Sequence, residues 1–496
     1  MNEIPVLKNQ IFSKAINPRV ANYVWDYIVA PGLGYSFSDI HSVSYSYIGF
    51  QSAYIATHWN SLYWNTACLI VNSGALDNDD EEEDDEDENL EVKEKDKSTN
   101  YGKVASAIGA MTKQGIKISL LDINKSTLKF RPLIETNEIL FGFKGASNIN
   151  NDTVDKIIKG RPYVNLKDFL NRCPLTKTIM ISLIKGGAFD KTETWANNFK
   201  EPRKAIMAYY ISLICEPKNK LTLSNFNGLL QRNLIPSSLS NSIQAFSDNI
   251  SLKNSKFIAT EELIERYPKM MEKIDYVDGV YRVDPVLWKK IYDSNMLEAK
   301  EWIKANQQSV LEELNSKLFM ECWEKYASGT ISSWEMDSLC FYYHEHELNK
   351  VDKNKYGIVD FFSLNEESEI ESYFRIKGKD IPKYKISKIV GTVISKNDIR
   401  SSINLLTPTG VVSVKFTKEY YAMFNRQLSQ KGEDGVKHIV EKGWFKRGTK
   451  VMCVGYRRAD TFVCKTYKDT NSHQLYKIID VKDDGTIILT HERAEE

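Results

Sequence analysis

The sequence predicts an α+β protein of several domains, helical over most of its length and ending in a small β-barrel. Three observations predict it. A chain of 496 residues exceeds what one core can bury, so about three domains are expected. Apolar residues recur at helical spacing as far as about Ser363. Beyond about Lys385 the period shortens to β-branched runs bounded by Gly, Pro, Asn and Asp.

The apolar share of 42% suits globular folding, and no run of eighteen apolar residues offers a membrane span. The opening "MNEIPVLKNQIFSKAINPRV" lacks the charged-then-apolar layout of a secretion signal, so a cytoplasmic protein without membrane partners is expected. Seven scattered cysteines, at 68, 173, 215, 322, 340, 453 and 464, include no CxxC, which argues against a zinc knuckle or a disulfide framework. The net charge of zero conceals an asymmetry. Eleven of the twelve residues from Asp77 to Glu88 are acidic, and without them 66 basic face 55 acidic residues. A basic body suits a polyanion, and the acidic run reads as a solvated, disordered linker that could compete for the same surface.

Helices are predicted up to Ile70. In "FSDIHSVSYSYIGFQSAYIATHW", Val43, Tyr47, Phe50 and Tyr54 form an aromatic stripe, and Ile48, Ile55, Trp59 and Leu62 a second apolar one. Two stripes predict a helix buried on most sides. A third stripe of small residues, Ser42, Ser46, Gly49, Ala53 and Ala56, admits either another helix or a nucleotide. After the acidic linker a compact region is predicted from Tyr101 to about Asn197. It holds a helix from Lys103 to Gln114, the turn-rich "LLDINKSTLKF", the extended "EILFGFKG", and two helices ending at "LIKGGAFD", where Gly186 and Gly187 fit a helix C-cap. Long amphipathic helices such as "LEELNSKLFMECWEKYA" follow to about Ser363, with no catalytic constellation. The strands are "KISKIVGTVIS", "SINLLTP", "GVVSVKFT", "TKVMCVGYRR", "DTFVCKTY" and "QLYKIIDV", interrupted once by the helical "KEYYAMFNRQL". Five or six strands with one helix describe an OB-type barrel.

In this order the segments resemble the C-terminal part of the bacterial DNA polymerase III alpha subunit, a C-family DNA polymerase. The opening helix resembles the end of the family's fingers, F-x-K-S-H-x-x-x-Y. "GIKISLLDINKSTLKF" resembles its G-I-x-V-x-P-P-D-I-N-x-S-x-x-x-F block, and "ILFGFKG", "VNLKDFLNR" and "LIKGGAFD" resemble its tandem helix-hairpin-helix region. "LCFYYHEHEL" stands where the family has G-F-Y-x-x-x-H-P-L, and an OB domain follows. The resemblance implies five parts: fingers end 1–72, acidic linker 73–100, helix-hairpin-helix region 101–197, helical connecting region 198–375 and OB domain 376–496.

It also implies roles. His41, Ser44 and Tyr45 are expected on the nucleotide side of the fingers, although Asp39 and Ala56 replace family lysines. Lys144, Gly145, Lys156, Lys159 and Arg161 are expected to meet duplex phosphates, with Asn148 and Asn150 tolerating the left-handed backbone of a hairpin. Lys415, Phe416, Arg457, Arg458, Phe462, Lys465 and Tyr467 are candidates for single-stranded DNA, of which alternation along the strands should turn about half inward. Tyr420 and Tyr421 are expected to pack. Gln231, Leu234 and Ile235 of "QRNLI" are a sliding-clamp candidate against an ordinary helix end, and His344 and His346 lack a third metal ligand. The carboxylate cluster that holds two Mg²⁺ ions in such polymerases belongs to a palm domain expected on another chain. The expected function is therefore the C-terminal component of a split polymerase, acting on primer-template duplex and single-stranded template, inactive alone and reminiscent of a phage or mobile element. A stand-alone DNA-binding accessory protein and a regulatory decoy acting through the acidic run are the alternatives.

Overall fold

The computed structural model describes residues 3–14, 17–30, 39–74, 101–376, 378–431 and 437–493. The acidic run Asp77–Glu88, with nearly all of the predicted linker, lies outside the described residues.

The amino-terminal helices span Glu3–Lys14, Pro18–Val24, Asp39–His58 and Ser61–Ser73, with a π-helical turn at Trp25–Val29. The stretch read above as one apolar helix breaks at Trp59–Asn60. Asn60 accepts a hydrogen bond from the Leu62 amide at 3.0 Å, a cap that starts a new helix in a new direction. Leu62 therefore leaves the predicted stripe and is fully buried together with Leu69, whereas Val43, Tyr47, Ile48, Phe50, Tyr54, Ile55 and Trp59 are exposed. The expectation of a helix buried on most sides is thus corrected within this chain.

The first core runs from Leu62 to Ile211 and recruits Ala327, Trp334, Leu339 and Phe341 from much later in the chain. It packs the helices Ser61–Ser73, Tyr101–Lys113, Asn151–Lys159, Leu166–Arg172, Lys177–Lys185 and Pro202–Ile214 on a small sheet of β1 (Lys117–Ser119), β2 (Arg131–Leu133) and β3 (Glu138–Leu140). The expected division at 197/198 is not a core boundary, because Ile206, Met207 and Tyr210 belong to this same core. Between Leu221 and Leu314 two further cores form. This stretch is not wholly helical: β4 (Ile258–Ala259), β5 (Ile274–Val277) and β6 (Val280–Val283) make a sheet, with Asp278 and Gly279 both at positive φ in the β5–β6 turn. The helix Gln307–Tyr326 connects the units, seating Val310 and Leu314 in one and Phe319 and Trp323 against the first core.

A hairpin of β7 (Ile370–Ile376) and β8 (Lys379–Tyr384) precedes the barrel. The barrel comprises β9 (Ser387–Asn397), β10 (Ser402–Thr407), β11 (Gly410–Lys415), β14 (Lys450–Arg458) and β15 (Thr461–Cys464), after the side hairpin β12 (Leu428–Lys431) and β13 (Lys437–Glu441). Its order β9-β10-β11-β15-β14 closes on β9, and β11 runs parallel to β15. This is the OB-type barrel that the strand spacing predicts. The helix Lys418–Asn425 plugs it with Tyr421 and Phe424, so Tyr420 and Tyr421 do pack. Strands β16 (Leu475–Val481) and β17 (Ile487–Thr490) extend the sheet beyond β14.

Two cations, the buried Arg203 and the half-buried Arg447, join these parts. Gly187, at φ +80, ends the helix Lys177–Lys185 as the glycine pair predicts, and the chain turns to Asp190. Arg203 meets Asp190 at 2.6 Å, Glu335 at 2.9 Å and the Lys185 carbonyl at 3.2 Å. Glu335 is fully buried and also accepts from the Tyr343 and His344 amides, each at 3.0 Å, while its other oxygen lies 2.7 Å from His344 Nδ1. The second cation, Arg447, reaches from the barrel to Cys340 Sγ at 2.6 Å and Ser147 Oγ at 3.2 Å, with its guanidinium 4.4 Å from the Tyr101 ring centroid. His346 is structural as well. Its Nε2 donates to the Leu406 carbonyl at 3.0 Å and its Nδ1 accepts from the Leu348 amide at 3.1 Å, which assigns the neutral Nε2–H tautomer.

Removing Arg203 leaves Glu335 buried without its strongest partner. Arg203→Met is expected to cost about 3–5 kcal/mol in urea unfolding, against under about 1 kcal/mol for the more exposed pair probed by Asp337→Asn. Burial pushes the His346 imidazole down to about 4. Below the ordinary value near 6.5 the unfolded chain takes up a proton that the fold refuses. The stability from His346 is thus complete above about pH 6.5 and is lost as pH falls toward about 4. His346→Gln should flatten the stability profile in that window by up to about 1.4 kcal/mol per pH unit.

Candidate nucleic-acid interface

The block "DINKS" builds the floor beneath the hairpin. Asp122 Oδ1 accepts from the Asn124 and Lys125 amides at 2.9 and 3.1 Å, folding the chain into a tight turn. Asn124 then clamps Tyr163 from both sides, donating to its carbonyl and accepting from its amide at 2.8 Å each. Arg161 is drawn into the same turn, its guanidinium donating to the Ile123 carbonyl at 2.7 Å and the Ser126 carbonyl at 2.5 Å. Burial holds it below the usual guanidinium range. Arg161 is therefore a structural clamp and not the phosphate contact predicted above.

The hairpin itself runs from Phe143 to Asn150. Asn148 adopts φ +66, the left-handed turn anticipated for it, and Asn150 caps the next helix by accepting from the Thr153 amide at 3.0 Å. Gly145 serves packing: a Cβ there would stand 2.8 Å from the Phe130 ring and 2.9 Å from that of Phe141. Lys144 is 8% exposed, with Nζ 3.5 Å from Asn151 Oδ1, so neither it nor Gly145 lies on the surface. Lys156 and Lys159 do. They sit three residues apart on the helix Asn151–Lys159 and are exposed on one side, while Val154 and Ile157 hold the other in the core. Of the predicted duplex set, Lys156 and Lys159 are the ones that stand exposed, beside the turn at Asn148.

On the barrel the seven predicted residues separate by parity. Phe416, Phe462 and Arg457 turn inward. Arg457 donates to the Ala459 and Leu364 carbonyls at 2.8 and 2.6 Å and lies 4.7 Å from the Phe361 ring centroid, so these three are corrected to core positions. Lys415, Arg458, Lys465 and Tyr467 stay outside or half-buried. Strand register assembles them. Lys415 pairs with Val463, Val463 pairs with Tyr456, and Arg458 and Lys465 lie two residues along from Tyr456 and Val463 on the same face. Tyr456 stacks on Tyr384 with centroids 4.5 Å apart, and Tyr467 accepts from the Tyr384 amide at 2.8 Å. Lys465 Nζ stands 5.3 Å from the Tyr467 ring. Sequence reasoning missed Tyr384 and Tyr456. The signal for Tyr456 was present, since two residues along a strand share a face with Arg458. A patch of stacked aromatics flanked by cations offers sequence-tolerant platforms for bases with charges for their phosphates.

Two other candidate segments have structural surroundings. Leu234 is buried in the core of the Leu221–Leu314 unit and Ile235 packs against it, leaving Gln231 exposed. The segment "QRNLI" is a helix end whose Leu234 amide donates back to Leu229, so it does not present a clamp-binding peptide. His344 and His346 are engaged with Glu335 and Leu406, and among the described residues no group of three His, Cys, Asp or Glu side chains could hold a metal ion. No described helix is long and apolar enough to cross a membrane.

His41, Ser44 and Tyr45 lie on one exposed edge of the helix Asp39–His58, with the His41 and Tyr45 rings 4.6 Å apart. Residues 40–76 contain no Asp, Glu, Lys or Arg. A helix surface so exposed and so poor in charge is unlike a solvated face.

Comparison with known proteins finds a helix-hairpin-helix match and similarity to DNA polymerases. A family model described as a helix-hairpin-helix motif matches residues 115–197. The chain is 39% identical over 493 residues to a "Probable DNA polymerase YorL" of Bacillus subtilis strain 168, covering 96% of this chain and 36% of that protein. It is equally similar to a "DNA-directed DNA polymerase" of Bacillus phage SPbeta. It is 26% identical over 245 residues to the "DNA polymerase III subunit alpha" of Borreliella burgdorferi, or 47% of this chain and 18% of that one. The chain thus spans about a third of the length of the first two relatives, 36% of each.

Lys156→Ala with Lys159→Ala should leave stability unchanged, weaken duplex binding roughly tenfold near 0.1 M salt and reduce the salt slope by about 2. Arg161→Ala should instead destabilise the fold by about 2–3 kcal/mol. Binding isotherms across a salt series, beside urea unfolding, separate the two.

Proposed function

We propose that this DNA polymerase III alpha-like chain is the DNA-gripping, C-terminal part of a C-family replicative polymerase and works in DNA-directed DNA synthesis with a palm that lies outside these residues. In the arrangement we favour, that palm is on a partner chain, and its carboxylates hold the Mg²⁺ ions of nucleotidyl transfer. This chain's own contribution is positional. Lys156, Lys159 and the hairpin at Asn148 hold duplex product by its backbone without reading sequence. Lys415, Arg458, Lys465 and Tyr467, with Tyr384 and Tyr456, carry the single-stranded template.

The observation that carries the assembly is the helix Asp39–His58. Val43, Tyr47, Ile48, Phe50 and Tyr54 are each 48–67% exposed, with no charged residue from 40 to 76 to solvate them. Such a surface gains free energy by meeting protein. The small residues Ser42, Ser46 and Gly49 allow close approach, and the Cβ direction of Gly49 points into open space. His41, Ser44 and Tyr45 then face the incoming nucleotide through its base or sugar, since no cation on this helix is available for its phosphates.

Reconstitution tests the proposal. Primer extension in Mg²⁺ should require both this chain and a palm-bearing polypeptide, and Ile48→Asp with Phe50→Asp should abolish their co-purification while DNA binding by this chain persists. Extension by the purified chain alone sinks the division of labour. A chain that binds DNA, assembles with no palm and stimulates no synthesis is the stand-alone accessory protein.

A further inference from the structure

The hairpin and the barrel meet in a place that neither nucleic-acid surface described above includes. The barrel segment Lys442–Thr449, between β13 and β14, lies against the first body. Arg447 enters that body beside Ser147, the residue before the left-handed turn at Asn148. Its neighbours Lys442 and Lys446 stay on the surface, as does the Asp337 carboxylate, which pairs with Lys185 at 2.9 Å. A Cβ on Gly448 would stand 3.6 Å from Asp337 Oδ1, so this carboxylate sits at the seam itself. The seam therefore brings Lys185 and Lys446 to the Asp337 carboxylate, with Lys442 and Arg447 beside Lys446. Among the described residues neither Lys442 nor Lys446 takes part in an ion pair. Partial burial and the adjacent Lys442 push the Lys446 ammonium down, the direction produced by cations pressed together without enough counter-charge.

Resting on the reading that the hairpin holds duplex, we infer that Lys442 and Lys446 form a phosphodiester site at the seam, which holds the DNA backbone where it passes from the duplex on the hairpin to the single strand on the barrel. The bound phosphate supplies the counter-charge that Lys442 and Lys446 lack among the described residues, Asp337 being engaged by Lys185. The site also makes the barrel loop part of the duplex grip, because Arg447 locks that loop to the hairpin through Ser147 and Tyr101. Discrimination follows from position: a primer-template junction engages all three surfaces at once, whereas blunt duplex or a free single strand engages one or two.

The test uses the full chain and three probes of equal charge count: a primer-template with a 5′ overhang, a blunt duplex and a single strand. Lys442→Ala with Lys446→Ala should weaken junction binding about 5- to 30-fold and lower its salt slope by about 1–2, since each phosphate contact contributes about 0.9. Blunt duplex and single strand should change by no more than about threefold, and the arginine double variant should restore junction binding. Asp337→Asn should tighten it. Equal losses on all three probes would mean a general basic surface, and unchanged junction binding would mean solvated lysines; either result overturns the inference. If junction binding survives Lys442→Ala with Lys446→Ala but falls with Lys156→Ala and Lys159→Ala, only the seam site fails. If wild type binds no duplex, both readings fail.

Discussion

The buried guanidinium of Arg203 is the contact on which the arrangement of the chain depends. It gathers Asp190, at the close of the hairpin region, and Glu335, which arrives from far later in the sequence. Glu335 then fixes the Tyr343 and His344 amides, so the segment leading into the barrel starts from a set point. Nearly complete burial makes this network costly to build and costlier to break, because each lost partner strands a charge in low dielectric. Gly187 belongs to the same constraint. A side chain at its left-handed position would push against both Arg203 and Asp190.

From that joint outward, two kinds of surface follow. The helix Asn151–Lys159 and the outer face of β11, β14 and β15 carry lysines, arginines and stacked tyrosines on rigid elements whose opposite faces are core. Arg447 fixes the barrel to the hairpin through polar contacts that hydrophobic packing at Ala105, Met336, Ile394 and Leu406 reinforces. The amino-terminal helix Asp39–His58 differs from both. It carries apolar area without charge and packs little of it on this chain. Basic, polar surface is thus presented by the compact part of the molecule and uncharged apolar surface by its amino-terminal helices.

The barrel was readable because strand alternation and turn residues are local signals, and all six predicted runs became strands. The β5–β6 hairpin carried an equally local signal in "VDGV", which the helical pattern around it masked. Site residues were less legible. Arg161 and Lys156 look alike as letters, yet the first spends its donors on the carbonyls of residues 123 and 126, which lie far from it in sequence. Likewise Arg457 and Arg458 are neighbours that the pleat sends to opposite faces.

Composition and periodicity by themselves determined the fold class, the basic body and the list of cations and aromatics available for nucleic acid, while motif blocks such as "GIKISLLDINKSTLKF" and "LIKGGAFD" carried the resemblance to polymerase III alpha. These depend on each residue and its near neighbours, which the chain displays directly. The tertiary structure alone decided which of those side chains are free of internal duty. That depends on which distant carbonyl, carboxylate or ring comes within hydrogen-bond reach. Arg203, Arg447 and His346 show the reason: their partners lie 13 to 132 residues away for Arg203, 107 and 300 for Arg447, and 60 for His346, separations that no local pattern encodes.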